Sequence, residues 1–513
     1  MQSTNDGMRR VLRMGAVSMY LAAVTSVVWA QQPVPAATAS HDAAVDSTLQ
    51  DLREEVRQLR AAIAELRAET AQYRAETVEL RSEIETARAQ NPGAPPATGS
   101  SEGSLPERVA ALEESATLLN NKVDEQSQTK VESASKYHVR LSGIALLNLF
   151  ANRGPSDNAD FPSYVPSPTP FNSSPALGAT MRQSELGLEV FGPTFAGART
   201  SGQIQVDFAG GFPSTLNGAN FGVLRLRIAS MRMDWANTSV VVGQDNLFVS
   251  PLSPTSFASL AIPALSYQGN LWGWVPQIRV EHRFRLAEDQ NLVVQAGLLD
   301  NLSGEPPFVP FDRGRQAGEA SGQPAVGLRL AWTRKLFDHP LTVGTGGYYG
   351  RQNWGFDRNL DGWAGMVDWD IPLSQRVSLS GEFYRGRAIG GLGGGVGRSS
   401  LYSGSIFDPA TQVIGLDSVG GWSQVKFRVT SKLEFNGALG LDNPMADDVR
   451  HFPVSVSYFD RTLTQNRSGL VNFVYRPRSN LLFSTEYRRL QTFAIDSGSR
   501  SAGQTNLMMG ILF

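Results

Sequence analysis

Apolar and polar residues alternate from Tyr137 to the C terminus with a period of two, as in β-strands whose two faces meet different surroundings. Runs in which every second residue is apolar or glycine lie at 139–149, 186–190, 204–208, 224–228, 292–298, 326–332, 377–383 and 433–439. Polar residues between them include Gln203, Gln205, Arg225, Arg227, Gln295, Arg329, Glu382 and Asn436. Each predicted strand therefore has one apolar face and one hydrated face.

The connections between these strands alternate in length. Short turns are predicted near 192–196, 236–237, 287–290, 336–340, 372–374, 430–431 and 477–480. Long loops are predicted at 151–178, 209–221, 248–274, 300–322, 352–360, 388–419, 442–465 and 491–502. A soluble β-sandwich also alternates apolar and polar residues, but short turns at one end and long loops at the other are typical of outer-membrane barrels.

Residues 137–513 thus predict an all-β transmembrane barrel of antiparallel strands. About seventeen strand-like runs are present, and single-chain bacterial barrels have even numbers. Placing the run at 454–458 inside the seventh long loop leaves about sixteen strands, enough to enclose an aqueous lumen.

The last strand carries Leu507, Met509, Ile511 and the terminal Phe513 on one face. An amphipathic closing strand that ends in an aromatic residue is the form read by the barrel assembly machinery, so Phe513, Ile511 and Met509 are the predicted assembly signal. Aromatic residues near strand ends suit the girdles at the two membrane interfaces. The candidates for these girdles are Trp369, Trp422, Tyr475 and Tyr487.

Before the barrel, residues 47–90 space apolar residues by alternating steps of three and four, the seam of an α-helical coiled coil. With Leu49 at position a, arginine fills the e positions and glutamate most g positions, which favours parallel identical helices. A single solvated helix is the alternative, but it would expose the whole seam. Val and Ile at a with Leu at d favour dimers, whereas Thr70 and Thr77 at a weaken that preference, so the residues leave the strand number open.

The remaining N-terminal segments read as export and spacer elements. Residues 1–30 have the charged, apolar and small-residue order of a signal peptide cleaved after Ala30; a membrane anchor is the alternative, but the apolar stretch is short for one. Residues 31–46 and 91–104 are predicted linkers, and 105–136 a second, shorter coiled-coil helix. An exported barrel with this stalk predicts a Gram-negative outer-membrane protein whose coiled coil lies in the periplasm and could contact peptidoglycan.

Composition excludes several functions. The chain has 46 Lys and Arg, 48 Asp and Glu, a formal charge of −2 and no cysteine. No basic excess favours nucleic acid, and disulfides, thiolate metal sites and cysteine nucleophiles are ruled out. The five histidines show no metal-ligand spacing, and no catalytic triad or carboxylate pair stands out. We therefore expect no catalytic residues, no metal and no cofactor.

Alternation places six polar residues beside the third long loop on the hydrated face: Arg225, Arg227, Gln277, Arg279, Glu281 and Arg283. Arginines around an aqueous constriction would concentrate anions. The alternative is that Glu185, Glu189, Asp207 and Glu281 pair with them and leave little net preference.

Two loops have distinctive composition. The third long loop, 248–274, has no Lys or Arg and is rich in proline and small residues, which predicts that it folds inward and narrows the pore; an ordinary extracellular or trimer-contact loop is the alternative. The glycine run 390–397 lacks the features of a phosphate-binding loop and predicts a mobile surface loop.

This layout resembles the DcaP-like trimeric outer-membrane porins, a group distantly similar to the phosphate-selective porins. The local likeness lies at 224–227, at Trp235, at 243–248, at 269–271 and at 276–279, around the constricting third loop. The resemblance implies a homotrimer, a three-stranded stalk and diffusion of small, mainly anionic solutes such as dicarboxylates.

The sequence therefore predicts a porin, a passive channel for small hydrophilic solutes with a preference for anions. Two other functions stay open. One is an outer-membrane lipid hydrolase, for which no Ser/His pair at the barrel rim is evident. The other is an envelope tether or adhesin whose barrel only anchors the stalk.

Overall fold

The computed structural model describes residues 138–211, 222–306, 313–495 and 497–513. The predicted signal peptide, both linkers and both coiled-coil helices lie outside the described residues. No helix in the described ranges is long and apolar enough to cross a membrane.

The described chain is almost entirely antiparallel β-structure. Its strands are β1 (His138–Arg153), β2 (Ala176–Thr180), β3 (Glu185–Phe195), β4 (Ala198–Asp207), β5 (Arg225–Asp234), β6 (Thr238–Asn246), β7 (Trp274–Ala287), β8 (Gln290–Leu299), β9 (Ala325–Leu336), β10 (His339–Asn353), β11 (Asn359–Pro372), β12 (Val377–Arg387), β13 (Ser400–Tyr402), β14 (Val413–Gly415), β15 (Asp417–Arg428), β16 (Leu433–Pro444), β17 (Leu463–Arg478), β18 (Leu481–Ala494) and β19 (Gly498–Leu512). Short helices occur only in the described loops, at Ala317–Ala320, Gly390–Leu392, Gly394–Gly397 and Ala446–His451.

These strands form one closed barrel of sixteen. β2 and β3 pair with successive parts of β1 and together make one interrupted barrel strand. β13 and β14 form a separate two-stranded sheet in the sixth long loop. β19 pairs along β1 from Ile144↔Leu512 to Arg153↔Gly503 and closes the cylinder. The run at 454–458 contributes only a bridge between Val454 and Tyr402, as its predicted place inside the seventh loop requires.

The apolar face of the strands is the outer surface of the cylinder. Leu149, Ile278, Val425 and Leu507 are exposed there, whereas their strand neighbours of opposite parity point inward and are mostly buried. Strands with one apolar and one polar face form a stable cylinder when lipid covers the outside and water or polar loops occupy the inside.

The C terminus lies on this outer surface. Met509, Ile511 and Phe513 are all exposed, and the amide of Phe513 donates to the carbonyl of Gly143 at 3.1 Å. The Phe513 ring covers Gly143, where an added Cβ would lie 2.8 Å from the ring. Recognition of these residues by the assembly machinery stays a prediction.

Three local predictions are wrong. A β-bulge opposite Gln205 and Val206 inserts Arg227 into β5, so Ile228 turns inward and is buried instead of continuing the outer face of Leu226. The predicted girdle residue Trp422 points inward, is buried and donates its indole N–H to Glu382 at 3.3 Å. The eighth loop is much shorter than 491–502, because β18 and β19 continue their pairing to Ala494↔Gly498.

The glycine run in the sixth loop is also not a surface loop. Gly390 and Gly394–Gly397 are buried, and a Cβ on Gly391 would lie 2.1 Å from the carbonyl oxygen of Leu302. Glycine allows this backbone to approach neighbouring loops closely. The adjacent Arg398 is fully buried and donates to backbone carbonyls of the sixth and seventh loops, including Gly395 at 3.2 Å and Arg461 at 2.5 Å. Burial lowers the pKa of Arg398 to about 10.

Candidate channel lumen

The third long loop, residues 247–273 in the structure, runs along the inner wall of the barrel. Inward-facing side chains of five barrel strands, and Gln183 between β2 and β3, bond to it. It therefore lies inside the cylinder, as its composition predicts, and its last residues also contact the sixth and seventh loops, through Trp272 with Leu392 and Tyr267 with Phe459.

Glu382 on β12 holds the first part of this loop. Its carboxylate is buried and accepts hydrogen bonds from the Ser250 hydroxyl at 2.6 Å and the Leu252 amide at 2.8 Å. Hydrogen bonds to a charged acceptor are among the stronger ones in proteins. Glu382 is therefore a major anchor for the loop.

Further anchors follow around the wall. Gln424 on β15 accepts from the Thr255 amide at 2.7 Å, and Asn472 on β17 donates to the Thr255 carbonyl at 2.8 Å. Glu486 on β18 accepts from the Ser256 hydroxyl at 2.6 Å. Two strands that are distant in sequence thus hold the same loop residue from both sides.

Residues 258–261 of the third loop reach Gln183 and the arginine-bearing strand β5. Gln183 accepts from the Leu260 amide at 2.8 Å and donates to the Ala258 carbonyl at 3.1 Å. Arg225 on β5 donates to the carbonyl of Ala261. The loop therefore spans the interior from β12 to β5.

Close packing against the wall requires a glycine in the loop. Gly269 has φ +101°, and a Cβ there would lie 2.2 Å from the carbonyl oxygen of Gly421. An L side chain would meet both backbone strain and a collision with the wall.

The four arginines predicted to line the lumen do face it, and each is paired with a carboxylate. Arg225 lies 2.6 Å from Asp207, and Arg227 contacts Glu185. Arg279 lies 2.8 Å from Asp245, and Arg283 lies 2.7 Å from Glu281. The alternative of neutralising partners therefore holds for Asp207, Glu185 and Glu281, whereas the fourth partner is Asp245 and Glu189 lies 3.5 Å from Arg140 instead.

Glu281 and Gln277 complete this network. Glu281 also lies 3.7 Å from Arg232 and accepts from Gln295 at 3.0 Å. Gln277 accepts from Arg279 at 3.1 Å and donates to the Asn246 carbonyl at 2.9 Å. All six predicted lining residues thus lie on the inward face of β5 and β7.

The indole ring of Trp274, the first residue of β7, adds to this wall. Trp274 lies beneath both Arg225 and Arg227, whose guanidinium carbons are 4.9 Å and 4.7 Å from a ring centroid. Cation–π contact and ion pairing together hold the two guanidinium groups in fixed positions.

Several inward charges were not among the predicted lining residues, although alternation had already placed Arg329 on the hydrated face. Arg329 on β9 lies 2.7 Å from Asp368 on β11, and both are buried. Three basic residues near the periplasmic ends of β15 and β17, Lys426, Arg428 and Arg476, also face inward. The parity of Gln424, Lys426 and Arg428, with exposed Val425 and Phe427 between them, was the available signal.

These three basic residues, the periplasmic basic cluster, differ from the arginines of β5 and β7. Lys426 has Glu434 at 3.9 Å. Arg476 lies over the ring of Phe257 in the third loop, 5.6 Å from its centroid. Neither Arg428 nor Arg476 has a carboxylate within ion-pair distance in the described part of the chain. Positive charge is therefore less neutralised here than at the four predicted arginines of β5 and β7.

No protein-family model and no curated protein matches the sequence. Among solved structures, the outer-membrane channel DcaP of Acinetobacter baumannii matches with a TM-score of 0.56 and 19% identity, over 75% of this chain and 100% of that chain. An anion-selective porin from Comamonas acidovorans matches with a TM-score of 0.45 and 12% identity, over 74% of this chain and 100% of that one. OmpT of Vibrio cholerae matches with a TM-score of 0.43 and 10% identity, over 75% and 100% of the two chains. The predicted resemblance is confirmed for the fold: the sixteen-stranded barrel is that of the DcaP channel.

Proposed function

We propose that the protein is a passive outer-membrane channel for small hydrophilic solutes. One observation carries this: charged inward side chains on β5 and β7 remain reachable by solvent. The side chains of Arg232 and Arg283 are 33% and 37% exposed although both face the interior. A wall of charged groups with solvent access supports an aqueous passage through the cylinder. The structurally similar DcaP of Acinetobacter baumannii is an outer-membrane channel, which supports this function.

The third loop sets the width of the proposed passage. It carries no charged residue from Phe248 to Trp274, and hydrogen bonds hold it to the wall at Glu382, Gln424, Asn472, Glu486 and Gln183. The narrow zone then has an uncharged side, formed by the loop, and a charged side, formed by β5 and β7. Small solutes pass between them by diffusion, without a cofactor or a chemical step.

We further propose a mild preference for anions, including dicarboxylates, and assign it to the periplasmic basic cluster. Paired charges on β5 and β7 give an alternating field with little net sign. The cluster has Glu434 and Asp370 near Lys426, but Arg428 and Arg476 have no carboxylate partner among the described residues. Three cationic groups on neighbouring walls of one vestibule suit a solute with two carboxylates.

The selectivity proposal is tested by reversal potentials of the reconstituted protein in a salt gradient. Replacing the cluster together, Lys426→Gln, Arg428→Gln and Arg476→Gln, should move the reversal potential toward that of cations. The matched control is Arg334→Gln, which removes a basic side chain with the outward parity of Leu328 and Leu330 and should leave the potential unchanged. An unchanged potential in the triple variant contradicts this assignment.

We propose that three copies assemble, joined by the stalk at 47–90, with the barrel in the outer membrane and the stalk in the periplasm. Outward positions in the middle of β3–β7 are aliphatic, including Leu186, Leu188, Ile204, Leu226 and Val280. The exposed aromatic residues of these strands, including Phe195 and Phe284, lie near the periplasmic ends, and the aliphatic band between the strand ends supports its use as the contact between subunits. Mass photometry of the full mature chain should give three copies, and deletion of 47–90 should reduce this population.

The channel itself is tested by liposome swelling with neutral sugars of rising size. A porin admits small sugars at rates that fall steeply with solute size. A barrel that only anchors an envelope tether admits none, so the absence of swelling would favour the tether function.

A further inference from the structure

Three arginines lie on the outer, lipid-facing surface near the extracellular ends of neighbouring strands. Arg153 on β1, Arg467 on β17 and Arg489 on β18 are exposed and share the parity of outward residues such as Leu149 and Val471. Arg489 and Arg153 both lie opposite Gly503 of β19, one on each side. We call them the outer arginines.

No carboxylate neutralises the outer arginines within the part of the chain that the structure describes. Arg467 donates to Gln491 at 3.0 Å and 2.6 Å and stacks on Phe493 at 5.0 Å. Arg489 reaches only the Ser501 hydroxyl, at 3.5 Å. Cationic side chains on a lipid face are costly in the membrane centre and acceptable near its surface, where an anionic group can pair with them.

An apolar groove leads away from two of these arginines. It has a volume of about 770 Å³, and Arg467, Gln491 and Arg489 line one end. Phe383, Leu439 and Trp369 line the rest. This volume lies within the range of sites that hold lipid- or drug-sized ligands.

The groove follows a row of paired positions across the sheet. Each residue of this row is paired with the next one on the neighbouring strand. From β18 to β11 the row is Arg489, Gly469, Leu439, Ser423, Gly381 and Trp369. Glycine on the outward face removes the side chain that would fill the groove. The row starts near the extracellular end of β18 and ends near the periplasmic end of β11. Charge thus lies at the membrane surface and apolar lining lies below it.

Lipid fits this surface better than a second subunit does. Aromatic residues surround it on the outward face, including Trp369, Phe383, Tyr475, Phe483 and Tyr487. Such aromatics mark lipid interfaces in barrels, whereas in the described residues the exposed aromatics of β3–β7, including Phe195 and Phe284, lie only near the periplasmic strand ends.

We propose that the outer arginines and this groove bind a phosphate-bearing lipid of the extracellular leaflet. The guanidinium groups hold the phosphate, since their fixed fork of donors matches phosphate oxygens, and an acyl chain lies along the groove. The site rests on the membrane location of the barrel and is independent of what passes through the lumen.

The test measures binding of lipid A to the detergent-solubilised full mature chain by native mass spectrometry. We expect bisphosphorylated lipid A to bind, and Arg467→Gln with Arg489→Gln to weaken it by about tenfold or more, since each basic residue near an anionic lipid surface contributes measurably. The matched control is Arg285→Gln, at an exposed arginine near the periplasmic end of β7, and should bind like the wild type. Dephosphorylated lipid A should bind weakly to all three proteins.

A second variant tests the groove without altering charge. Gly469→Leu places a side chain toward Leu439, whose Cδ2 would lie 2.8 Å from a new Cβ and can rotate away. This variant should bind less lipid A than the wild type. In a separate competition, inorganic phosphate should displace none of the lipid A bound to the wild type. Equal binding of phosphorylated and dephosphorylated lipid, or full binding by the double-arginine variant, overturns the proposal. Displacement by inorganic phosphate alone also overturns it, since a simple anion site would then suffice.

Discussion

Replacing Glu281 by Gln should make the channel more anion-selective. Glu281 lies on the inward face of β7, 2.7 Å from Arg283 and 3.7 Å from Arg232. Arg232 keeps a second partner, Asp234 at 2.9 Å, whereas Arg283 then retains only the Ser239 hydroxyl at 3.0 Å. Glutamine has nearly the same shape and still accepts from Gln295, so the change adds one uncompensated positive charge with little change of geometry.

The size of the effect follows from Coulomb's law. A unit charge at ~8 Å from a passing ion acts with about 0.5 kcal/mol at the dielectric constant of water. Anions gain this energy and cations lose it, so their local concentration ratio changes by about fivefold. Salt at about 0.1 M screens roughly half of this energy, which leaves about twofold. The expected increase in the anion-to-cation permeability ratio therefore lies between about twofold and fivefold, with the larger value at low salt.

Reversal potentials in planar bilayers measure this ratio directly. Glu281→Gln should move the potential toward that of the anion, and Arg283→Gln should move it in the opposite direction. The matched control is Glu288→Gln, at an exposed residue beyond the end of β7, which should change nothing. A normal conductance with an unshifted potential in Glu281→Gln would refute the view that carboxylates on this wall neutralise its arginines.

Three further outcomes follow from the contacts of the loops. Glu382→Ala removes two hydrogen bonds between the wall and the third loop, worth about 1 kcal/mol each. Current noise should therefore rise, whereas Asp361→Ala, outside the lumen, should leave it unchanged. Gly269→Ala meets a wall carbonyl and a positive φ, so the folded barrel should lose its heat-resistant mobility on gels at a lower temperature than wild type. Burial raises the pKa of Glu305 in the fourth loop above its ordinary 4.5. The folded loop then binds the proton more tightly than the unfolded chain, so the stability of the loop falls as pH rises from about 4.5 through the raised pKa. Hydrogen exchange at the Ala317 amide, which donates to Glu305, should show this pH dependence in the wild type. The dependence should be lost in Glu305→Gln.

The period-two pattern was sufficient to predict the barrel. Membrane lipid requires one apolar face on every strand, so every second residue of a strand is apolar and the pattern is visible in the sequence. The run at 454–458 shows how connection length corrects periodicity, because a strand there would break the order of short turns and long loops. Parity also placed all six predicted lining residues, including Gln277 and Glu281, on the inward face.

Local departures from parity could not be predicted in the same way. The bulge at Arg227 depends on pairing with β4, and no residue within β5 marks it. Trp422 resembles a girdle residue by type and by position near a strand end, but a buried carboxylate on the neighbouring strand and the third loop hold it inside. The glycines at 390–397 indicate flexibility when considered alone, whereas their real role is to allow close approach to Leu302 and Arg398. Such contacts join residues that are far apart in the chain.

The ion pairs of the site could not be predicted from the sequence. Alternation shows that an arginine faces the lumen but not that Asp207, Asp245 or Glu281 neutralises it, since ion pairing depends on strand register. The periplasmic basic cluster was overlooked because lining residues were predicted only on the strands beside the third loop. Its residues belong to strands that are distant from the third loop in sequence, and the loop reaches them only through the folded interior.

Single-channel recording of the purified full mature chain in planar bilayers tests the central claim most directly. An open aqueous lumen predicts discrete, ohmic current steps at low voltage whose size rises with salt concentration. Insertion of folded protein without any such steps would contradict the account, because it would mean that the third loop and its neighbours close the cylinder.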